Sequence, residues 1–371
     1  MQILFVYKDY YPVLGGIEGH IRLLAEGLAA RGISVQVLVT NTGVQTISEQ
    51  LNGVSITKFG RLGSVSSAPV SLDLVRRMGD FRADIAHLHS PYPVGELATL
   101  WRGRTRRLVV TYHSDIIRQR FMGWAYQPFL RRLLARADAI SISNPSYMLN
   151  SRLVAAQSSK CVVIHHGQNL GRFERTAQSE ARARQIQSEY GDQIVLFVGK
   201  LRYYKGVENL VAAMRDVNAG AQALIVGTGP MESAWKTLAH TMGLEHRVRF
   251  LGNVSDQDLP SFYQAARIFV LPSTQPSETW GAVQVEAMAS GLPCICTELG
   301  TGTSYVNQDG ITGLVVPPRD PHALAQSINR LLNNEEERAT MGKAALSRAR
   351  GEFGHSDMIE HTLQLYRRLL A

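Results

Sequence analysis

Short uninterrupted apolar runs alternate with helix-period segments along this chain, and few folds accept that alternation. Ile3-Leu4-Phe5-Val6 is followed by a loop ending in Gly15-Gly16, a helical-period segment over 17–30, a closing Gly32 and a second run over 34–39. Strand, helix and strand in that order form a βαβ unit, with a glycine pair where strand hands over to helix. Further strands are expected at 84–89, 108–113 and 139–143. After a polar, helical-looking stretch over 176–190 the series restarts. Strands are then expected at 194–199, 222–227, 248–251, 268–271, 293–297 and 313–316, with helices at 207–215 and 258–266 between them. Runs apolar on both faces belong to parallel sheets covered by helices on each side.

The chain has 371 residues, more than one ordinary core holds and enough for two domains of about 150–200 each. The pattern places one doubly wound α/β domain over 1–175 and a second over 176–354, with a last helix over 355–371 able to pack on the first or the second. Two such domains facing each other leave a cleft at the carboxyl ends of their strands, where ligands of open α/β sheets bind. With 45% apolar and 19% charged residues, disorder is excluded as the main state. No run approaches the roughly 18 apolar residues of a membrane span, and the N-terminus does not read as a signal peptide. Cys161, Cys294 and Cys296 have neither an even count nor C-x-x-C spacing. A soluble chain of a reducing compartment, the cytoplasm, is the expectation.

The charge is one-sided. Residues 1–175 carry 21 Lys and Arg against 11 Asp and Glu, whereas residues 176–371 carry 18 against 20. Such an excess points to an anionic partner of the first domain: lipid headgroups, nucleic acid or a phosphorylated substrate. Arg118, Arg120, Arg131, Arg132 and Arg136 interleave with Phe121, Trp124, Tyr126 and Leu130, a composition suited to an anionic membrane surface. A core-facing helix with a solvated basic face explains the same residues.

The segment richest in chemistry is Ser277-Glu278-Thr279-Trp280-Gly281-Ala282-Val283-Gln284-Val285-Glu286-Ala287-Met288-Ala289-Ser290-Gly291. Glu278 falls in a strand-end loop and Glu286 inside the helix after it. The helix start directs N–H groups and partial positive charge toward the cleft, a natural diphosphate site. Lys200 and Lys205 flank the loop after the first strand of the second half, where two cations can neutralise a departing diphosphate. Solvated loop lysines would look the same. Gly15-Gly16 lets a backbone approach a ligand closely, although a plain turn also accounts for it, and no G-x-G-x-x-G comes after it to suggest hydride transfer. No Asp-x-Asp or Cys/His cluster has metal-ligand spacing.

Taken in order, these segments resemble the retaining glycosyltransferases of family 4, with the GT-B architecture of two Rossmann-like domains facing an interdomain cleft. The resemblance is carried by Gly15-Gly16, by Val109-Val110-Thr111-Tyr112-His113-Ser114, by Phe197-Val198-Gly199-Lys200-Leu201 with Lys205-Gly206, and by Gly227-Thr228-Gly229-Pro230. The spaced glutamates and Gly310-Ile311-Thr312-Gly313-Leu314-Val315-Val316-Pro317-Pro318 complete it. It implies transfer of a hexose from a nucleoside diphosphate sugar to a glycan or polyprenyl-diphosphate-linked acceptor, with retention and without a metal or other cofactor. His113, Glu278, Lys205 and Lys200 would be catalytic. Gly15, Gly16, Gly227, Trp280, Gly281 and Glu286 would join Lys200, Lys205 and Glu278 around the donor. The basic segment with Arg118, Arg120, Trp124, Arg131 and Arg132 would meet the acceptor or the inner membrane face. The family usually has arginine where Lys200 stands, and lysine lacks that bidentate fork. The stretch 298–307 resembles enzymes of lipid-linked surface polysaccharide, many of which use GDP-mannose, so mannose is favoured over other hexoses. A nucleotide-sugar epimerase of the same architecture and a basic nucleic-acid binder are the alternatives.

Overall fold

A computed structural model describes residues 1–13, 15–65, 68–113 and 120–371, with 65 and 120–125 described by backbone alone. The described chain divides into two compact units, Met1–Gly167 with His355–Ala371, and Gln168–Gly354.

The first unit carries β1 (Gln2–Val6), β2 (Ser34–Thr40), β3 (Ile47–Leu51), β4 (Val54–Phe59), the hairpin strands β5 (Gly63–Val65) and β6 (Ala68–Val70), β7 (Arg82–Ser90), β8 (Arg104–Tyr112), β9 (Ala139–Ile142) and β10 (Cys161–Val163). Eight of them form one sheet in the order β10-β9-β8-β7-β1-β2-β4-β3. Every pairing is parallel except β3 against β4. Ile3 to Val6 are at most 1% exposed, as a central strand covered on both faces requires. The chain leaves β1 toward β2 on one side and returns as β7 on the other, making a topological switch point there.

The C-terminal helix His355–Leu370 belongs to this unit. It buries Met358, Ile359, Leu363, Leu365 and Tyr366, and each such side chain contributes about 1.5–3 kcal/mol, well above any surface ion pair. Gly27, on the helix Gly16–Ala29, makes room for it, since a Cβ there would lie 2.2 Å from Ile359 Cδ1.

The second unit holds β11 (Ile194–Val198), β12 (Gln222–Val226), β13 (Val248–Gly252), β14 (Ile268–Leu271), β15 (Cys294–Thr297) and β16 (Gly313–Val316). They form an all-parallel sheet in the order β13-β12-β11-β14-β15-β16, with its switch point between β11 and β14. Its boundary lies after Gly167, not after 175. Phe173 is 3% exposed in the core of the second unit, and Gln168 N–H donates to Phe353 O at 2.8 Å. Residues 168–175 therefore fold with the second unit, a grouping the polar stretch at 176 does not reveal.

Candidate functional site

In the second unit the site is built from the loops that leave β11, β12 and β14. Gly199 N–H donates to Val226 O at 2.9 Å, and Leu201 N–H to Thr228 O at 2.9 Å, so the first two loops lie against each other. Gly227 has φ +122, and a Cβ there would sit 2.1 Å from Gly199 O. Only glycine permits that contact. Lys205 ends a one-turn helix, Tyr203–Lys205, and Gly206 comes next in the left-handed conformation. Thr274 N–H donates to Tyr204 O at 2.8 Å, while a Cβ on Gly206 would lie 2.1 Å from Pro272 O. The turn bearing Lys205 is thus clamped to the loop after β14.

That clamp brings Lys205 Nζ within 2.5 Å of Glu278 Oε2, with both side chains 10% exposed. Ser273 Oγ donates to the same carboxylate oxygen at 3.1 Å. The Glu278 backbone is tied to the loop after β15, because Thr301 Oγ1 donates to Glu278 O at 2.7 Å and Gly302 N–H to Thr279 O at 2.8 Å. A buried ion pair of this kind is kept together by the cost of breaking it, about 3–5 kcal/mol when one partner is removed. Chemically it is a fixed cation at the switch point, backed by a carboxylate.

Glu286 lies on the helix Ala282–Ala289, which starts at left-handed Gly281. Its carboxylate is partly buried and accepts from Tyr263 OH at 2.8 Å. Burial pushes this carboxyl up to about 7, while the Tyr263 hydrogen bond and the charges of Arg172 and Lys205 pull it down.

Two further residues expected here have surroundings unlike those of Lys205. Trp280 is 3% exposed and packs edge-on against Phe353, with ring centroids 5.4 Å apart, so its ring belongs to the core of the second unit. Lys200 is exposed and forms no ion pair with a described carboxylate, unlike Lys205.

In the first unit Gly15 precedes the helix Gly16–Ala29 with extended backbone, and a Cβ there would meet Glu18 Oε2 at 2.2 Å. Nothing lies within 4 Å of a Cβ on Gly16. His113 comes directly after β8 and is buried, 2% exposed. It sits among other imidazoles. His89 Nδ1 lies 2.9 Å from His113 Nε2, and His20 and His166 approach His113 with centroids at 5.6 and 5.3 Å. Burial holds His20, His89, His113 and His166 below the ordinary imidazole range, and the neighbouring rings add to the shift, so the group stays neutral. Sequence reasoning leaves out His20 and gives His166 no task. The signal for His20 is present, since it shares the helix face of Ile21, Leu24, Ala25 and Leu28. Among the described residues no group of His, Cys, Asp and Glu is arranged to hold a metal ion.

The basic helix Arg120–Arg136 buries Leu130, Leu133 and Leu134 in the first core and leaves Arg131, Arg132 and Arg136 exposed. Arg118 lies outside the described residues, as do the side chains of Arg120 and Trp124. Arg136 donates to Leu100 O at 2.7 Å, next to Trp101, which is 67% exposed. Among the described residues no helix is long and apolar enough to cross a membrane.

Two parallel doubly wound units, with glycine loops and a buried lysine–carboxylate pair at a sheet switch point, define an α/β enzyme of the GT-B type. Residues 14–172 match the model of glycosyltransferase family 4, and residues 178–348 that of glycosyl transferases group 1. The O-antigen chain mannosyltransferase C of Escherichia coli is 35% identical over 100% of this chain and 99% of its own length. The D-rhamnosyltransferase WbpZ of Pseudomonas aeruginosa is 33% identical over 95% of this chain and 92% of its own. The Anabaena protein HepE, crystallised with UDP and glucose, shares the fold at a TM-score of 0.79 and 21% identity, covering 99% of this chain and 100% of that one. Sucrose-phosphate synthase from Thermosynechococcus elongatus does so at 0.79 and 24%, covering 99% and 98%. The chain belongs to glycosyltransferase family 4, and the epimerase alternative is not favoured.

Proposed function

We propose that this enzyme transfers a hexose, with mannose favoured, from a nucleoside diphosphate sugar to a glycan or polyprenyl-diphosphate-linked acceptor, with retention and without a metal. The second unit holds the donor and the first the acceptor. The observation that carries this reading is the Lys205–Glu278 pair at the β11/β14 switch point, with Glu286 on the next helix. As the glycosidic bond breaks, charge gathers on the leaving diphosphate, and a preorganised ammonium stabilises it more than it stabilises the bound donor. The leaving phosphate then takes the acceptor proton on the same face, so no second nucleophilic carboxylate is needed. Glu286 accepts hydrogen bonds from the ribose. Mannose is favoured because the E. coli relative is named a mannosyltransferase.

A thermal-shift panel of GDP, UDP, ADP and their sugars, with and without chelator, tests this directly. GDP and GDP-mannose should raise the melting temperature by mass action, and chelator should not abolish transfer. Stabilisation by UDP compounds alone would remove mannose from GDP as the reading, and turnover lost in chelator but restored by magnesium would refute the metal-free step.

The acidity of Glu286 sets a pH dependence. Its carboxyl is raised to about 7, so it is neutral below that pH and ionised above it. The ionised form accepts from ribose hydroxyls more strongly, and protonation turns one of its oxygens into a donor, so donor affinity should fall as pH drops from 8 to 6. Calorimetric titration should show that slope in the wild type and a flat profile in Glu286→Gln; an equal slope in both would remove Glu286 from the ribose.

The exposed Arg131, Arg132 and Arg136, near exposed Trp101 and Arg102, support contact with an anionic membrane on the cytoplasmic side. Reversing Arg131 and Arg132 to Glu should release the protein from anionic vesicles in a flotation assay and leave its melting temperature unchanged. Retained vesicle binding would return these arginines to a solvated helix face.

A further inference from the structure

Three imidazoles pack against His113, and their nitrogens can be counted. His87 is pinned at both ends, with Nδ1 2.5 Å from Tyr366 OH and Nε2 2.6 Å from Thr111 Oγ1. His89 stacks on it with centroids 4.7 Å apart and planes 21° apart. His113 continues the series, its plane 18° from that of His89 and its Nε2 at 2.9 Å from His89 Nδ1. His20 closes against both His89 and His113 in T-shaped contacts at 5.6 Å, and Tyr7 lies 6.2 and 6.5 Å from the same two rings. His89 and His113 are 0% and 2% exposed. Their outer nitrogens, His89 Nε2 and His113 Nδ1, have no hydrogen-bond partner among the described residues.

We propose that His89 is a positioning residue, which fixes the ring plane and the tautomer of His113. The inference rests on the reading that places His113 among the catalytic residues. A neutral imidazole has one N–H and one lone pair, so a single hydrogen lies between the two facing nitrogens. Whichever ring supplies it, the outer nitrogen of His113 takes the complementary state. If His89 donates, both rings carry hydrogen on Nδ1; if His113 donates, both carry it on Nε2. The Nε2–H form is the lower-energy tautomer of a histidine side chain in water, and no described group at either outer nitrogen opposes it. His113 Nε2–H therefore donates to His89 Nδ1, and His113 Nδ1 is left as a bare acceptor. Burial keeps that nitrogen from taking a proton, which suits it to accept a hydrogen bond from a sugar hydroxyl and not to act as a base. Unpartnered buried polar atoms are uncommon, and one aimed from a ring held this firmly marks a place for a ligand group.

The test compares His89→Leu, which removes the acceptor, with His89→Asn, whose Oδ1 can take the place of Nδ1, in the full chain with its nucleotide-sugar donor. Turnover should fall at least about tenfold in His89→Leu, as expected of a mis-set tautomer, with KM for the donor little changed, and should recover in His89→Asn. Long-range 1H–15N spectra should show His113 as the Nε2–H form in the wild type and in His89→Asn, and as a mixture in His89→Leu. Full turnover in His89→Leu, or equal losses in both variants, would overturn the proposal. Should His89→Leu fail to fold, the wild-type spectrum decides, because an Nδ1–H tautomer at His113 contradicts it. His113→Phe separates the two readings: full turnover there removes His113 from catalysis, whereas loss there with none in His89→Leu removes only the positioning role.

Discussion

Replacing Lys205 by alanine should lower turnover by roughly two to three orders of magnitude, the size of losing about 2.7–4 kcal/mol of preorganised charge stabilisation in the transition state. The same change should also lower stability, for a separate reason. Glu278, 10% exposed beside Lys205, would lose its cation and keep, among the described residues, the hydrogen bond from Ser273 Oγ. An uncompensated buried charge costs about 3–5 kcal/mol. The two effects can be pulled apart with the double variant Lys205→Met/Glu278→Gln, which removes both charges and keeps similar volume. Its melting temperature should recover most of the loss, and its turnover should not. Turnover near the wild-type value in Lys205→Ala would show that the departing diphosphate is received elsewhere. Recovery of turnover along with stability in the double variant would reduce the pair to a packing feature.

The second large effect is expected at Gly227. Alanine there must adopt φ +122 and bring its methyl group to 2.1 Å from Gly199 O, a backbone atom that cannot swing away. Backbone strain of this kind costs about 1–3 kcal/mol before the clash is counted. Relief requires the loops after β11 and β12 to separate, breaking the Leu201–Thr228 hydrogen bond that holds the loop leading to Lys205. Stability and nucleotide affinity should therefore fall together in Gly227→Ala. Gly16→Ala is the control, because nothing lies within 4 Å of a Cβ at that position and alanine is the better helix former. That variant should keep or raise its melting temperature, so any activity it loses reports close approach of a ligand and not damage to the fold. A Gly227→Ala protein as stable as the wild type, with full nucleotide binding, would contradict the account of the loop contact.

The elements that were legible are those whose burial is written in their own residues. Ile194–Val198 and Ile268–Leu271 are buried at every position, and an unbroken apolar run says so directly. By contrast β3 (Ile47–Leu51), an exposed antiparallel edge with Ser48, Glu49 and Gln50 at its centre, carries no apolar pattern to be read. Trp280 shows the same limit in a side chain. Its place beside Gly281 in a ligand-facing loop suggests a donor contact, but the partners that bury it, Tyr305 and Phe353, are far along the chain. Glu278 was legible as a candidate by its neighbours in sequence. That it is bound to Lys205, and that Lys200 is not the buried cation, depends on how the turn 203–205 is clamped to the loop after β14.

By itself the sequence determined the alternation of strands and helices, the glycines at their junctions, the excess of arginine in the first half and the family. These are local properties, because periodicity reports whether a face is buried and a glycine reports what the backbone must do there. Tertiary structure alone decided that the last helix returns to the first unit, that residues 168–175 join the second, and that His20, His89, His113 and His166 meet in one place. Those four come from a helix, two strand ends and a loop that share no pattern in sequence. Parallel packing of distant strands puts their ends side by side, and nothing in a residue's own segment records which other segment will lie against it.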